Sequence, residues 1–116
     1  MNIYHCMIDL KSEARALAFA HALDLWLTLL RDDGRITGWR LMRRKLNLAG
    51  DNCADFLLEI EVVDLAQLDA AFRFLGRGDD DAYRRYDQMR QHIARVEFGL
   101  YRPFPDPERV ERMALI

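Results

Sequence analysis

The sequence predicts an α+β domain in which one four-stranded antiparallel sheet carries helices on one face. Three observations predict it. Four short segments alternate apolar and polar residues, as strands with one buried face do. Between the first and second segments, and again between the third and fourth, apolar residues recur at helical spacing. Hydrophobic residues make up 51% and charged residues 31% of the 116 residues, which is typical of one folded domain and excludes intrinsic disorder.

Alternation divides the strand residues into two sets. The predicted strands cover residues 3–10, 37–46, 55–62 and 95–101. The set expected to face the helices consists of Tyr4, Cys6, Ile8, Leu10, Trp39, Leu41, Phe56, Leu58, Ile60, Val62, Val96, Phe98 and Leu100. The opposite set consists of Ile3, His5, Met7, Arg40, Met42, Arg44, Leu57, Glu59, Glu61, Glu97 and Tyr101. The first set is a clean apolar face, and the second mixes apolar with charged residues.

Capping signals predict where the helices begin. Ser12 is a favourable N-cap for a long helix that runs to Arg31. Asp64, with Gln67 three residues later, forms the pattern of a capping box. A run of aspartates at 79–81 predicts the start of a third helix, because acidic residues stabilise the first turn.

The resulting order is strand, helix, strand, strand, helix pair, strand, which is the βαββαβ order of a ferredoxin-like fold. We expect residues 1–103 to form this domain and residues 104–116 to form a C-terminal tail. Asp106 as N-cap and Pro107 at the next position predict a short helix in the tail, docked on the domain or on a partner.

Several classes of protein are excluded by simpler features. The net charge of -2 argues against nucleic acid as the main partner. No apolar run is long enough for a membrane span, and the N-terminus lacks the features of a signal peptide. We therefore expect a cytoplasmic protein, no membrane partner and free thiols at Cys6 and Cys53. Since the histidines and cysteines lack metal-binding spacings, we expect no metal. We also expect no cofactor, because no further signal for haem accompanies His21 or His92.

The second sheet face predicts self-association. Ile3, Met7, Met42, Leu57 and Tyr101 would leave an apolar patch exposed on a monomer. The simplest cover for such a patch is the same face of a second copy, which predicts a two-fold homodimer. The charges on this face are of both signs and allow ion pairs across it.

Two short stretches resemble a known group of proteins. Residues 3–8, with sequence IYHCMI, are similar to the first strand of stress-responsive barrel proteins, which carry a histidine near its start. Tyr83, Tyr86 and His92 are similar in placement to the tyrosine and histidine that precede the last strand in those relatives. The chain thus resembles the dimeric α+β barrel superfamily, which includes antibiotic-biosynthesis and haem-degrading monooxygenases and polyketide-cyclase relatives. The resemblance implies a homodimer whose two sheets close into a barrel.

His5 is the first candidate for chemistry. A histidine oriented by Glu59 or Glu61 is a usable general base near neutral pH. The alternative is a histidine that is only hydrogen-bonded inside a dimer interface. Tyr86 and His92 are the second candidates, with core packing and surface exposure as the alternatives. The predicted substrate-binding residues are Met7, Arg40, Met42, Leu57, Glu59 and Tyr101.

Two functions follow from these candidates. One is a cofactor-independent enzyme, similar to the monooxygenases or cyclases, whose apolar, aromatic or acyl substrate lies between sheet and helices. In it His5 removes a proton, Tyr86 or Tyr101 stabilises the oxyanion, and Arg40 or Arg44 orients an acidic group. The other is a non-catalytic homodimer that binds a hydrophobic small molecule, for which methionines provide an adaptable surface.

Overall fold

The ferredoxin-like fold is confirmed by the computed structural model, which describes residues 1–46, 48, 50, 53–77 and 80–105. The elements are β1 (Asn2–Leu10), α1 (Ala16–Asp32), β2 (Gly38–Arg43), β3 (Phe56–Val62), α2 (Leu65–Gly76), α3 (Asp80–Arg90) and β4 (Ile93–Tyr101). The strands lie in the order β2-β3-β1-β4, and each neighbouring pair is antiparallel.

The core lies between the sheet and the three helices. Phe56, Leu58, Ile60 and Val62 of β3 are buried, whereas the residues between them are only half-buried. These four side chains pack in the same cluster as the buried face of α1, in which Phe19 is fully buried. The predicted division of the strand residues into a helix-facing and an opposite set is therefore correct for the central strands.

The start of α1 differs from the prediction. The helix begins at Ala16 with Arg15 as its N-cap, so Ser12 does not cap it. The Ser12 hydroxyl donates a hydrogen bond to the Glu13 carboxylate at 3.1 Å, and the Ala14 amide donates to the Lys11 carbonyl at 3.0 Å. A turn thus separates β1 from the helix.

The cap of α2 is confirmed. The Asp64 carboxylate accepts a hydrogen bond from the Gln67 amide at 2.8 Å. The Gln67 side chain returns to the chain before the helix and accepts from the Val63 amide at 2.7 Å. The side chains of Asp64 and Gln67 therefore each satisfy one backbone N–H group at the start of the helix.

Strand β2 is shorter than the predicted 37–46 and ends at Arg43. Leu46, three residues later, has a φ of 57°, a left-handed conformation that a strand does not accommodate. Arg44 thus lies beyond the strand, where its guanidinium pairs with Asp55 at 2.8 Å.

Two residues of β4 are more exposed than predicted. Phe98 and Leu100 pair with Cys6 and Tyr4 and so lie on the helix side of the sheet. Their side chains are nevertheless 60% and 46% exposed, because the described helices do not cover that end of β4. Asp79 and the predicted tail helix at 106–116 lie outside the described residues.

Candidate functional site

A cavity of about 240 Å³ lies between the sheet and the helices. Its floor includes Tyr4 and Cys6 of β1, and its roof includes Trp26 of α1 and Tyr86 of α3. We call it the helix-side cavity.

Aromatic rings form much of the cavity wall. The ring of Tyr4 stacks on Phe98 with 5.5 Å between centroids and meets Phe72 edge-on at 5.6 Å. On the other side, Trp26 and Tyr86 meet edge-on at 5.5 Å. Phe72 and Phe98 are 54% and 60% exposed, so the cavity opens towards solvent between these two rings.

Two ionisable groups in the wall, Tyr4 and Cys6, are held in their neutral forms. Burial, with smaller contributions from the neighbouring Cys6 and Tyr86, raises the pKa of Tyr4 to about 12. Burial alone raises the pKa of the Cys6 thiol to about 12. At neutral pH the phenol is a hydrogen-bond donor, and the thiol is a poor nucleophile because only the thiolate is reactive.

His5 lies on the other face of the sheet, which we call the open face. Its ring is 4.7 Å from that of Tyr101 and covers Gly99, its partner on β4. A Cβ atom at position 99 would lie only 2.4 Å from the histidine Nε2. Gly99 thus provides the space for this ring, and sequence reasoning missed it. A glycine inside a strand was the available signal, since it marks a close approach.

Glu59 faces His5 across the β1–β3 pair but bonds elsewhere. Its carboxylate accepts a hydrogen bond from the Arg40 guanidinium at 3.0 Å, while the His5 ring leans towards β4. Arg40, Glu59, His5 and Gly99 therefore form one row across the open face.

The neighbouring row is apolar. Met42 lies opposite Leu57, and Leu57 lies opposite Met7. The structure thus brings together on one face all six predicted substrate-binding residues, along with His5. The predicted ion pair on this face is present as Arg40–Glu59.

Tyr86 and His92 lie on the helix side. Tyr86 lines the helix-side cavity, and the His92 ring is 6.3 Å from that of Phe19. The His92 carbonyl accepts a hydrogen bond from the Lys11 amide at 2.9 Å. The sheet separates both residues from His5 within one chain. A substrate between sheet and helices and a base at His5 therefore belong to two different sites.

Among the described residues, no cluster of three or more His, Cys, Asp or Glu side chains is arranged to hold a metal ion. The same part of the chain contains no helix that is long and apolar enough to span a membrane.

A protein-family model described as a family of unknown function (DUF6614) matches residues 1–116. No curated protein matches the chain.

Three similar solved structures place the fold. A hydroxynitrile lyase from Passiflora edulis has a TM-score of 0.67 and 10% identity, with 91% of this chain and 96% of that chain covered. A dimeric ferredoxin-like protein of unknown function from Jannaschia sp. has a TM-score of 0.63 and 14% identity, covering 89% and 100%. An antibiotic biosynthesis monooxygenase has a TM-score of 0.55 and 16% identity, covering 90% and 100%. The TM-scores show a shared fold and confirm the predicted resemblance at the level of the fold.

Proposed function

Since the chain belongs to the DUF6614 family, whose function is unknown, we propose its function from the helix-side cavity: it binds a small, largely apolar aromatic molecule there. The observation that carries the proposal is the aromatic wall, in which Tyr4 lies between Phe72 and Phe98. A planar aromatic ring fits such a wall by stacked and edge-on contacts, which stabilise a complex beyond the burial of apolar area.

The cavity volume limits the size of the ligand. At about 240 Å³ the cavity lies just below the roughly 300–1,000 Å³ of drug-sized sites. A one- or two-ring molecule is therefore the expected occupant. Tyr4 and Tyr86 line the cavity, and a tyrosine hydroxyl is a donor suited to one polar group of that molecule.

The protonation states favour binding over catalysis at this site. With pKa values of about 12, Tyr4 and Cys6 remain protonated at neutral pH. General-base catalysis needs a group that titrates near the working pH, and nucleophilic catalysis by cysteine needs the thiolate. Both groups therefore serve better as a polar lining than as reactive groups.

The experiment compares two alanines of α2, since Ala71 lines the cavity and Ala66 is exposed. Cinnamyl alcohol, a neutral aromatic probe, is titrated by calorimetry into wild type, Ala71→Phe and Ala66→Phe. The added ring at 71 fills the cavity, so we expect binding to be lost in Ala71→Phe and kept in Ala66→Phe. Equal binding by both variants would contradict the proposal.

We also propose that the protein is a homodimer joined through its open face. Met7, Met42 and Leu57 form an apolar row there, and the Arg40–Glu59 pair supplies charges of both signs beside it. A face of this composition is self-complementary under a two-fold axis. The similar protein from Jannaschia sp. is described as dimeric and ferredoxin-like, which supports the proposal.

Light scattering tests the homodimer with matched lysine variants. Met7→Lys puts a charge in the apolar row, whereas Leu17→Lys changes a side chain of α1 that is already 87% exposed. Wild type and Leu17→Lys should give particles of twice 13.6 kDa, and Met7→Lys should shift towards 13.6 kDa. A wild-type monomer at micromolar concentration is the result that rules the homodimer out.

A second candidate function, in the monooxygenase- and cyclase-like class, is proton removal by His5 in a site enclosed by two open faces. The observation that favours it is the fixed His5 ring, held over Gly99 and beside Tyr101. In the proposed step a C–H bond next to a carbonyl breaks and its proton goes to an imidazole nitrogen. The electron pair forms an enolate, whose oxygen accepts a hydrogen bond from the Tyr101 hydroxyl.

Proton exchange tests this second function. Phenylacetaldehyde in D₂O is followed by NMR, with wild type, His5→Gln and His92→Gln as the compared proteins. Catalysed exchange of the α-proton should require His5 and should be unaffected by His92→Gln, because His92 lies beyond the sheet. Wild-type exchange at the rate of buffer alone removes this candidate.

A further inference from the structure

One charged side chain lines the helix-side cavity among the residues that the structure describes. Arg90, in the last turn of α3, borders the cavity together with Tyr86 and Met89 of the same helix. Tyr86 and Arg90 are four residues apart and therefore lie on the same side of the helix, one turn from each other.

Arg90 has no carboxylate partner within the described part of the chain. Eight other arginines there form ion pairs with aspartate or glutamate, namely Arg31, Arg35, Arg40, Arg44, Arg73, Arg84, Arg85 and Arg95. The Arg90 guanidinium instead donates from Nη1 to the Ile93 carbonyl at 3.3 Å. The acidic residue nearest to it along α3, Asp87, accepts a hydrogen bond from the Gln91 amide group at 2.8 Å.

That single bond leaves most of the guanidinium donors of Arg90 available. A guanidinium carries five N–H donors in a planar fork that matches the two oxygens of a carboxylate. The bond to Ile93 uses one donor and restrains the side chain at the edge of an otherwise apolar cavity. Arg90 is an exposed residue, so an apolar wall carries at its solvent edge one cation with no carboxylate partner among the described residues. This arrangement is complementary to an apolar molecule with one anionic end.

We propose that the ligand of the helix-side cavity is a small aryl carboxylate, whose carboxylate binds Arg90 and whose ring lies against Trp26 and Tyr86. This inference rests on the proposed function and specifies its ligand class. A carboxylate fits better than a neutral polar group because bidentate, charge-assisted hydrogen bonds to arginine are the stronger ones. The tyrosine hydroxyl donors favour an oxygen acceptor at the same time.

The experiment uses cinnamate and its neutral amide, cinnamamide, which share the same ring. Both are titrated by calorimetry into wild type, Arg90→Gln, Arg90→Lys and Arg73→Gln. Arg73 is the matched control, because it is an exposed arginine of α2 that pairs with Asp69. Thermal denaturation of each variant reports whether the fold is retained.

Wild type should bind cinnamate more tightly than cinnamamide. Arg90→Gln should weaken cinnamate binding roughly 10- to 100-fold and leave cinnamamide binding nearly unchanged. Arg90→Lys should lose part of the preference, because it keeps the charge and loses the fork. Arg73→Gln should behave as wild type.

Two outcomes overturn the inference in different ways. If cinnamyl alcohol binds in the cavity but cinnamate binds no tighter than cinnamamide, the ligand class is wrong and the proposed function stands. The same holds if Arg90→Gln binds cinnamate as tightly as wild type does. If none of the three compounds binds wild type, the proposed function fails together with the inference.

Discussion

At the residue scale, the orientation of His5 depends on Gly99 directly across the β1–β4 pair. The histidine ring occupies the space that any side chain at position 99 would fill. The alternation of the strands predicts that His5 lies on the open face. It does not predict that the ring leans away from Glu59. That orientation depends on the Arg40–Glu59 bond and on the register that places Gly99 opposite His5. Alternation within single strands does not give the register between them.

The first prediction concerns this pair of residues. Gly99→Ala should lower the free energy of unfolding by about 1 kcal/mol, because the new Cβ displaces the His5 ring from its rotamer. In a His5→Ala background the same substitution should cost nothing. Chemical denaturation of the four proteins of this double-mutant cycle measures the coupling.

Gly38→Ala is the matched control, since a Cβ there meets no atom within 4 Å. It should leave stability nearly unchanged. An equal cost of Gly99→Ala with and without the histidine would show that the ring does not occupy the space above Gly99.

Cys6 gives a second prediction at this scale. Burial raises the pKa of its thiol from 9.0 to about 12 in the folded protein. Below pH 9 the thiol is protonated in both states. As the pH rises from about 9 to 12, the unfolded chain loses this proton first, so the free energy of unfolding decreases. The full decrease in the free energy of unfolding is about 1.4 kcal/mol for each unit by which the folded pKa exceeds the unfolded pKa.

Urea denaturation between pH 8 and pH 11 measures this dependence. Cys6→Ala should lose less stability over that range than wild type, whereas Cys53→Ala, at an exposed thiol, should retain the wild-type slope. Tyr4 adds to the slope in all three proteins, because burial raises its pKa from 10.0 to about 12. Identical slopes for wild type and Cys6→Ala would mean that folding does not raise the pKa of the Cys6 thiol.

At the element scale, most of the fold could be predicted and the errors lie at the ends of elements. Alternation in 56–62 and the Asp64 cap are local signals, and the structure confirms both. Ser12 failed as a cap because the Ser12 hydroxyl bonds its neighbour and a turn intervenes before the helix. Phe98 shows the other kind of error. Its position on the helix side of the sheet was predicted correctly. Its exposure was not, because exposure depends on how far the helices extend over β4, which is a tertiary property.

The helix caps provide the prediction at this scale. Arg15, the N-cap of α1, has extended backbone angles and a side chain that forms no capping bond. Arg15→Ser should raise the free energy of unfolding by about 1 kcal/mol, because serine caps the first amides and removes a cation from the positive end of the helix.

Asp64→Ala is the comparison, with the opposite sign expected. It removes the bond to the Gln67 amide and should lower stability by about 1 kcal/mol. Guanidinium denaturation measures both. A Ser substitution at 15 that destabilises the protein would mean that the Arg15 side chain makes a stabilising contact elsewhere.

At the scale of the whole molecule, the sheet divides the candidate residues into two groups. The open face carries His5 with the apolar row of Met7, Met42 and Leu57, which suits association with a second copy. The other side carries the helix-side cavity with its aromatic wall. The cavity could not be predicted from the sequence alone, because it depends on side chains of three helices and three strands that meet at one place. The central claim is that small molecules bind on the helix side.

NMR mapping of bound cinnamate tests that claim most directly. In ¹⁵N-labelled protein, we expect the largest amide shifts on saturation to lie in the cavity wall, around Ala71, Tyr86 and Arg90. Met42 and Leu57 of the open face should then move little. The largest shifts at Met42, Leu57 and His5, with an unperturbed cavity wall, would contradict it and would assign ligand binding to the open face instead.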